Sequence, residues 1–268
     1  MPELPEVNTF QRYFDETSLH QRILEVHVYD DKIIRNLSGD AFAEKLTRRT
    51  FIGSYRRGKY LFGKLDNDHH LLLHFGMTGD LKYYADQEDQ PRHERFSFQF
   101  DTGFFLGFDC ARKFARILYI ENLSEYLKET GLGEDAQRIN EAEFLAKMEG
   151  KKSTVKGFLL NQSHLSGIGN LYADEICFQT QIHPASTTAY IPLPKQREIY
   201  QKMQEVLHFA VEKQAHYKDY PDNWLWQWRK EGATAPDGTG IVKKSKIAGR
   251  TTYFCEGWQK FYTSEKMK

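Results

Sequence analysis

The chain has 268 residues, enough for two domains of ordinary size, and 40% of them are hydrophobic. Its 37 basic and 37 acidic side chains balance to a formal charge of zero, which by itself gives no support to nucleic-acid binding. There is no apolar run of about 18 residues, and the first thirty residues lack a signal-peptide core, so we expect no membrane span. Three widely spaced cysteines argue against a disulfide framework and indicate a reducing compartment.

The chain begins with the letters MPELPE, which place Pro2 one cleavage away from the amino terminus. Methionine aminopeptidases remove Met1 when the next residue is small, and Pro2 would then carry a free secondary amine. An α-amino group has a pKa near ~8, well below that of a lysine, so more of it is neutral and nucleophilic near neutral pH. A secondary amine that attacks an aldehyde gives an iminium, whose retained positive charge weakens the neighbouring C–H bond. Taken alone, these letters also fit a rigid acidic arm without chemistry.

Residues 1–125 are predicted to be mostly β-structure. An early helix is expected at about residues 6–19. Short stretches rich in aromatic and β-branched residues, separated by turn signals, predict strands at 22–29, 51–65, 70–75, 95–100, 104–108 and 117–120. Residues 126–139, which two glycines interrupt, are interpreted as a linker.

From residue 140 the spacing of apolar residues becomes helical. Apolar side chains three and four apart predict helices at 141–148, 154–160, 170–178 and 194–212. The glycines at 167 and 169 indicate a tight turn between the second and third of these. The last thirty residues return to turns and strands. Residues 241–268 hold seven lysines and arginines against two glutamates, a net charge of +5, which suits a phosphate-facing surface or an ordinary solvated end.

The opening MPELPEV resembles the signature of the formamidopyrimidine-DNA glycosylase/endonuclease VIII family of base-excision repair enzymes. The resemblance implies that Pro2 attacks C1′ of the damaged nucleotide. It also implies that Glu3 protonates the deoxyribose ring oxygen and assists later proton transfers, while Glu6 supports the site. Ring opening needs an acid within hydrogen-bond reach of that oxygen, and a carboxyl group beside the amine is well placed to supply it.

Two further segments of the first half carry the resemblance. The basic turn RRGK, with Lys59, resembles a family hairpin whose lysine contacts the phosphate next to the lesion. The segment HFGMTG sets Met77 between two glycines, and the resemblance implies that Met77 fills the gap left by a flipped base. Without the resemblance, these would be a basic turn and a half-buried methionine at a strand end.

A companion loop, CARKFA at residues 110–115, resembles the family's Asp-Pro-Arg-Arg-Phe-Gly. The resemblance implies that Arg112 faces the orphaned partner base and that Phe114 forms a wedge beside it. Cys110 and Ala111 depart from the family's Asp-Pro.

The longest match lies in the second half. LLNQ at 159–162 and SGIGNLYADE at 166–175 resemble the family's helix-two-turn-helix. The glycines let backbone N–H groups at a helix start approach a phosphate, and Asn170 adds a side-chain donor. The resemblance implies that Lys156 is a further phosphate-binding residue, whereas His183 is expected to be structural.

Family members usually end in a zinc finger with the spacing C-x2-C-x16-C-x2-C. Counting those spacings from Cys255 gives Ala235, Gly238 and Trp258 at the other ligand positions, and no nearby histidine replaces the missing thiols. We therefore expect no bound metal, and no other cofactor is implied.

A metal-free finger is still expected at about residues 228–262, because residues 247–253 resemble the strand–turn–strand that carries the finger's arginine. Packing by Trp258, Phe254, Tyr253 and Trp228 would replace the metal. The resemblance implies that Arg250 grips the phosphates that flank the flipped nucleotide.

Some family members have a long glycine- and aspartate-rich loop that covers flipped 8-oxoguanine. The corresponding stretch here, about 216–223, is short. Oxidised pyrimidines, ring-opened purines and abasic sites therefore all stay open as substrates. Whether strand cleavage stops after β-elimination or continues to δ-elimination is equally open.

The resemblance spans nearly the whole chain and implies an α+β multidomain fold. The parts are an N-terminal β-sandwich with flanking helices at 1–125, the linker at 126–139, and a helix-two-turn-helix domain with a metal-free hairpin at 140–268. The implied activity is that of a bifunctional DNA glycosylase/AP lyase acting on double-stranded DNA with damaged bases or abasic sites. We expect a monomer without a membrane anchor, in the cytoplasm and associated with the nucleoid.

Two other kinds of function are open. A lesion-binding protein on the same scaffold would have lost turnover, although intact Pro2, Glu3 and Lys59 argue against that. A small-molecule enzyme with an N-terminal proline as its base, as in tautomerases, would have no use for a helix-two-turn-helix.

Overall fold

A computed structural model describes residues 1–236, 238 and 240–264. Residues 237, 239 and 265–268, which belong to the expected finger and basic tail, lie outside the described residues. The chain divides into two compact units, Met1–Gly131 and a second that begins at Leu132. No described helix combines the length and the hydropathy that crossing a membrane requires.

The first unit alternates strands with helices that flank them. Its elements are α1 (Leu4–Ser18), β1 (Ile23–Val28), α2 (Gly39–Leu46), β2 (Phe51–Arg57), β3 (Tyr60–Leu65), β4 (His70–His74), β5 (Gly79–Tyr84), β6 (Glu94–Phe100), β7 (Phe105–Cys110), β8 (Arg116–Ile120) and α3 (Leu123–Thr130). The strands form two antiparallel sheets with the orders β2-β3-β4-β8 and β1-β6-β7-β5.

Aromatic side chains from both sheets meet in one buried core. Phe51 of β2 lies edge-on to Phe98 of β6, with 5.6 Å between the ring centroids. Phe14 of α1 packs edge-on against Phe51 at 4.9 Å. All three rings are buried, and burying a phenylalanine contributes about 1.5–3 kcal/mol relative to exposing it. The predicted β-sandwich with flanking helices is confirmed.

The second unit is mainly helical and ends in a hairpin. Its elements are β9 (Glu134–Asp135), α4 (Glu141–Met148), α5 (Val155–Leu160), β10 (Leu165–Ser166), α6 (Asn170–Gln179), α7 (Leu193–Glu212), β11 (Ile241–Ile247) and β12 (Arg250–Glu256). Thr154 caps α5 by accepting the backbone N–H of Gly157 at 3.0 Å. Between α5 and α6, β10 pairs in parallel with β9. The predicted helix-two-turn-helix and terminal hairpin are confirmed.

The hairpin turns at Ala248 and Gly249, whose φ angles are 49° and 72°. Two successive left-handed residues match the right-handed twist of the flanking strands, and glycine adopts that conformation without a Cβ penalty. Ile247 and Arg250 are therefore paired directly across the turn.

Several elements differ from the sequence-based predictions. The single strand expected at 51–65 is two strands, because the chain turns at Gly58, where φ is 58°. Strand β5 was not predicted, because its glycine, aspartate and lysine are residues that strands disfavour. Helix α2 was also missed.

The linker expected at 126–139 needs correction. Its first residues belong to α3, and residues 134–135 form β9. Leu123, Tyr126 and Leu127 of α3 pack against a buried cluster that includes Phe62 and Leu72 of the first sheet. These three apolar residues have helical spacing, which the sequence already contained.

Candidate catalytic terminus and nucleic-acid interface

Pro2 lies immediately before α1, and two glutamates fix that helix start. Glu3 is the N-cap: its side chain accepts the backbone N–H of Glu6, and the Glu6 carboxylate accepts the backbone N–H of Glu3 at 2.8 Å. This reciprocal capping box satisfies two N–H groups that a helix start otherwise leaves open. Glu3 is buried and Pro2 is half-buried. Glu3 and Glu6, two of the residues predicted to act at the sugar, are therefore bound to each other, and Pro2 directly precedes them in the chain.

Helix α1 connects this terminus to two other predicted segments. Gln11 donates to the Ser54 hydroxyl of β2 at 2.9 Å. Phe10 stacks on Phe75, which directly precedes the Gly76–Met77 turn, with 4.1 Å between the centroids. The helix that Glu3 caps thus contacts both the β2–β3 hairpin and the start of the methionine loop.

Lys59 lies in the two-residue turn between β2 and β3. The Arg56 guanidinium donates to the Gly58 carbonyl at 3.1 Å and so holds this turn. Both Arg56 and Lys59 are buried within the first unit. Lys59 keeps 7% of its surface exposed at this turn.

His74 at the end of β4 is a candidate that the sequence analysis left without a role. Burial first, and then the charges of Arg116 and Lys59, lower the pKa of His74 to about 4. Its buried Nδ1 has no hydrogen-bond partner among the described residues. Its position at the start of the HFGMTG segment is the sequence feature that could have indicated His74 as a site residue.

The Met77 loop and the 110–115 loop pack backbone against backbone. Gly76 has a φ of 61°, and a Cβ there would lie 2.4 Å from the carbonyl carbon of Phe114. The Thr78 hydroxyl accepts the backbone N–H of Arg112 at 3.2 Å. Met77 and Phe114 remain 41% and 54% exposed, so two apolar tips project from one joined surface.

Arg95 holds the 110–115 loop where its sequence departs from the family's Asp-Pro. Its guanidinium donates to the carbonyls of Cys110 at 2.8 Å and Ala111 at 3.4 Å. Lys113, in the left-handed region at φ 54°, forms an ion pair with Asp30 at 2.5 Å, and this hydrogen bond lowers the pKa of Asp30. Side chains from β6 and from the residues just after β1 thus fix the loop.

The Arg112 guanidinium lies over the ring of Phe114, 5.2 Å from its centroid. Both side chains are exposed. A cation–π pair of this kind orders two side chains that would otherwise be mobile.

In the second unit, Gln162 shapes the connection that leads into α6. Its side chain accepts the N–H of Gly167 at 3.0 Å and donates to the carbonyl of Ile168 at 2.9 Å. Asn170 is the first residue of α6 and uses one amide hydrogen to reach the Thr251 carbonyl of β12 at 2.9 Å. Asn170 and the strand that begins at Arg250 therefore meet.

Arg250 is exposed at the tip of the terminal hairpin, as are Lys244 and Lys246 of β11. Lys244 forms an ion pair with Glu231 at 3.2 Å. The hairpin tip is consequently a basic surface, although the whole chain is neutral.

The role predicted for Lys156 needs correction. Lys156 is fully buried, and its ammonium binds Asp174 at 2.6 Å and the Thr252 hydroxyl at 2.7 Å. An ammonium enclosed in this way does not contact a phosphate. The motif predicted its position in α5 but could not predict which way the side chain points.

The positions of a zinc finger do not fit zinc in this chain. Cys255 is buried, and Ala235 belongs to the same apolar cluster, against which Trp258 packs. Among the described residues, no group of three or more His, Cys, Asp or Glu side chains could hold a metal ion. One thiol among hydrocarbon groups cannot supply tetrahedral thiolate ligation.

The β-sandwich that begins with Pro2–Glu3 and the helix-two-turn-helix unit that follows have the architecture that the sequence motifs predicted for a DNA-repair glycosylase. The sequence model of the formamidopyrimidine-DNA glycosylase N-terminal domain matches residues 1–117, and that of the H2TH domain matches residues 131–220. The chain belongs to the formamidopyrimidine-DNA glycosylase family.

Curated relatives and solved structures agree. A formamidopyrimidine-DNA glycosylase of Arabidopsis thaliana is 32% identical, over 100% of this chain and 73% of the relative. That of Lactobacillus gasseri is 32% identical, over 98% and 100%. The fold matches Lactococcus lactis Fpg, solved as a complex with "an abasic site containing DNA", with a TM-score of 0.87, 24% identity, and coverage of 96% and 99%.

Proposed function

We propose that this protein is a bifunctional DNA glycosylase/AP lyase that removes oxidised or ring-opened bases from double-stranded DNA. The proposal rests on the order Pro2–Glu3 at the start of α1, where the capping box binds Glu3 and Glu6 to each other. Family membership and curated relatives named as formamidopyrimidine-DNA glycosylases support the glycosylase part of this activity. An enzyme with this substrate would act at the nucleoid.

The proposed chemistry starts with removal of Met1, which frees the secondary amine of Pro2. The amine nitrogen attacks C1′, and the bond from C1′ to the damaged base breaks with its electron pair leaving on the base, which takes up the proton that the amine nitrogen loses. Glu3 donates a proton to the ring oxygen as the C1′–O4′ bond opens, giving an iminium between Pro2 and C1′. Loss of a C2′ proton then expels the 3′ phosphate by β-elimination.

The exposed loop tips supply the groups that replace the extruded base. Flipping a nucleotide costs a few kcal/mol, less when the base is damaged or mispaired. We assign Met77 and Phe114 to the vacated stack and Arg112 to the orphaned base. Two contacts support joint action of Met77, Arg112 and Phe114: Arg112 stacks on Phe114, and Gly76 packs against the Phe114 backbone.

Phosphate binding is assigned to both units. Lys59 is the proposed contact in the first, and Asn170 with Arg250 in the second. The amide contact from Asn170 to β12 supports joint action of the last two on one backbone. Lys156 is excluded from this set by its burial.

Duplexes that each carry one lesion, read on denaturing gels, test the activity and identify the base. The wild type should cut at one or more lesions, whereas Glu3→Gln should bind the same duplexes without releasing a base. A protein that shifts lesion DNA in a binding gel but leaves every strand intact would be a lesion-binding protein. That result would contradict the proposal.

A further inference from the structure

A buried carboxylate in the second unit joins three separate chain segments. One carboxylate oxygen of Asp174 in α6 accepts a hydrogen bond from the Lys156 ammonium of α5, at 2.6 Å. Its other oxygen accepts Arg229 at 2.9 Å and the backbone N–H of Tyr253 in β12 at 3.1 Å. The side chains of Asp174 and Lys156 have no exposed surface.

Such a cluster is stable only when it is complete. Removing a charge from water costs several kcal/mol unless partners and hydrogen bonds replace the water. Here each oxygen of Asp174 has a cationic partner, and Lys156 also donates to the Thr252 hydroxyl at 2.7 Å. Loss of the carboxylate would leave two cations facing each other.

The cluster holds the residues that directly follow Arg250. Thr252 and Tyr253 are bound through Lys156 and Asp174, and the Thr251 carbonyl accepts Asn170 at 2.9 Å. Successive residues of β12 are therefore fixed to the helices of the helix-two-turn-helix. Ala248 at the hairpin turn also lies over Gly157 of α5, 3.5 Å from where a Cβ would be.

A second set of buried hydrogen bonds, made by the Gln259 side chain, holds the other end of β12. Gln259 accepts the backbone N–H of Cys255 at 2.6 Å and donates to the Ile182 carbonyl at 2.9 Å. Gln259 is buried. Cys255 also belongs to the apolar cluster, which packs the base of the hairpin against the rest of the second unit.

We propose that Asp174 is a positioning residue for DNA binding. Its carboxylate, bound to Lys156 and Arg229, fixes β12 against α5 and α6 so that Arg250 and Asn170 face the DNA backbone in one geometry. This is the structural task that thiolates and a metal perform in a zinc finger. The inference rests on the proposed phosphate role of Arg250.

Asp174→Asn tests the cluster, and Glu256→Gln is its matched control. Glu256 also lies on β12 and also pairs with a lysine, Lys243 at 3.3 Å, but its side chain is 67% exposed. Both substitutions remove one negative charge, which by itself favours DNA. Weaker binding by Asp174→Asn alone therefore cannot be a net-charge effect.

Hydrogen exchange without DNA tests whether the Asp174 cluster holds the β11–β12 hairpin, independently of DNA binding. In Asp174→Asn, the amides of β11 and β12 should exchange at least about tenfold faster than in wild type, while those of α7 stay protected. Glu256→Gln should match wild type. Should Asp174→Asn not fold, Lys156→Met/Asp174→Leu/Arg229→Met replaces all three charged side chains of the cluster with apolar groups, an exchange that is often neutral for stability. It should fold and lose the same hairpin protection.

Binding to a tetrahydrofuran-containing duplex then tests whether the Asp174 cluster positions Arg250 for its contact with DNA. Hydrogen bonds to charged groups contribute about 1.5–3 kcal/mol, so Arg250→Ala should weaken binding about tenfold or more in wild type. In the Asp174→Asn background it should weaken binding by less than about threefold, because the arginine is already misplaced. Saturated single-turnover rates should change far less than Kd.

The outcomes separate the two claims. Unchanged hairpin exchange in the folded Asp174 variants would overturn the inference, and so would a full Arg250→Ala effect in their background. Normal DNA binding by the single variant Arg250→Ala would instead refute the phosphate role of Arg250. Hydrogen exchange would still test whether the Asp174 cluster holds the hairpin.

Discussion

Gly76 lies directly beneath the backbone of Phe114. A Cβ at Gly76 would be 2.4 Å from the Phe114 carbonyl carbon and 2.5 Å from its oxygen. The glycine, at φ 61°, is therefore required both by its conformation and by the close approach of the second loop. This contact, together with the hydrogen bond from the Arg112 N–H to the Thr78 hydroxyl, sets the spacing of the two exposed apolar tips, Met77 and Phe114.

Gly76→Ala should separate the two loops. Left-handed backbone costs an alanine about 1–2 kcal/mol, and the clash with Phe114 adds to that. We expect a lower urea midpoint and at least about tenfold slower base excision, since a small misplacement of reacting groups is costly. Gly103→Ala is the control, because Gly103 has φ 86° but a Cβ there would meet no atom within 4 Å. Equal excision rates for the two variants would contradict the coupling of the loops.

Glu3→Gln should stop base release and leave binding nearly intact. The glutamine oxygen can still accept the Glu6 N–H, so the capping box and the helix start should survive. General acid catalysis contributes about 10²–10⁴-fold, which sets the expected loss in single-turnover excision. Pro2→Gly keeps an amine and should weaken the lyase step. Retained excision by Glu3→Gln would remove that glutamate from its assigned role.

Arg250→Ala should weaken binding to all lesions alike and reduce the salt dependence. If the arginine binds one phosphate, its removal should lower the slope of log K against log salt by about 0.9 on duplex DNA. Lys202→Ala, which removes a half-buried cation paired with Glu205 on α7, controls for net charge. A weakening confined to one lesion would point to base recognition instead.

Glu175 should make folding stability depend on pH. Burial raises the pKa of Glu175 from 4.5 to about 7, although Gln179 and the Trp226 N–H donate to its carboxyl group. Because the folded pKa is the higher one, its stabilisation is complete below about 4.5 and is lost as the pH rises to about 7. The loss is on the order of 1–3 kcal/mol.

Glu175→Gln should therefore flatten the change in urea midpoint between pH 5 and pH 8. Glu205→Gln, whose side chain is 60% exposed on α7, should keep the wild-type profile. The same steep profile in both variants would exclude Glu175 as its source.

Metal removal should leave this protein unchanged. Cys255 lies among apolar side chains, and the other ligand positions of a zinc finger carry no donors, so chelators should alter neither Tm nor Kd. Elemental analysis should find no stoichiometric zinc. Cys255→Ala should cost about 1 kcal/mol through weaker packing. A chelator-dependent fall in Tm would contradict this account.

Local patterns predicted much of the fold. Stretches rich in aromatic and β-branched residues indicated most strands, and apolar spacing indicated helix 141–148 with the bounds that α4 has. The motifs also indicated where Pro2, Met77 and Asn170 would lie. Helix α3 was missed because its few apolar residues were assigned to a linker.

Contacts between distant residues could not be predicted. Arg95 with Cys110, and Asp174 with Arg229, are joined by tertiary structure, and no local spacing indicates them. The error on Lys156 has the same origin, because a motif predicts a position in a helix but not the burial of its side chain. Trp258, Tyr253 and Trp228 pack against the Cys255 cluster as expected, whereas Phe254 packs against His183 instead. The prediction also omitted the buried hydrogen bonds that accompany this packing.

Borohydride trapping on an abasic-site duplex, followed by peptide mapping of the adduct, tests the central claim most directly. Borohydride reduces an iminium to a stable amine, so the wild type should yield one covalent protein–DNA adduct. That adduct should lie on an N-terminal peptide that starts at Pro2. An adduct on a lysine, a protein that retains Met1, or no adduct despite tight binding would contradict it.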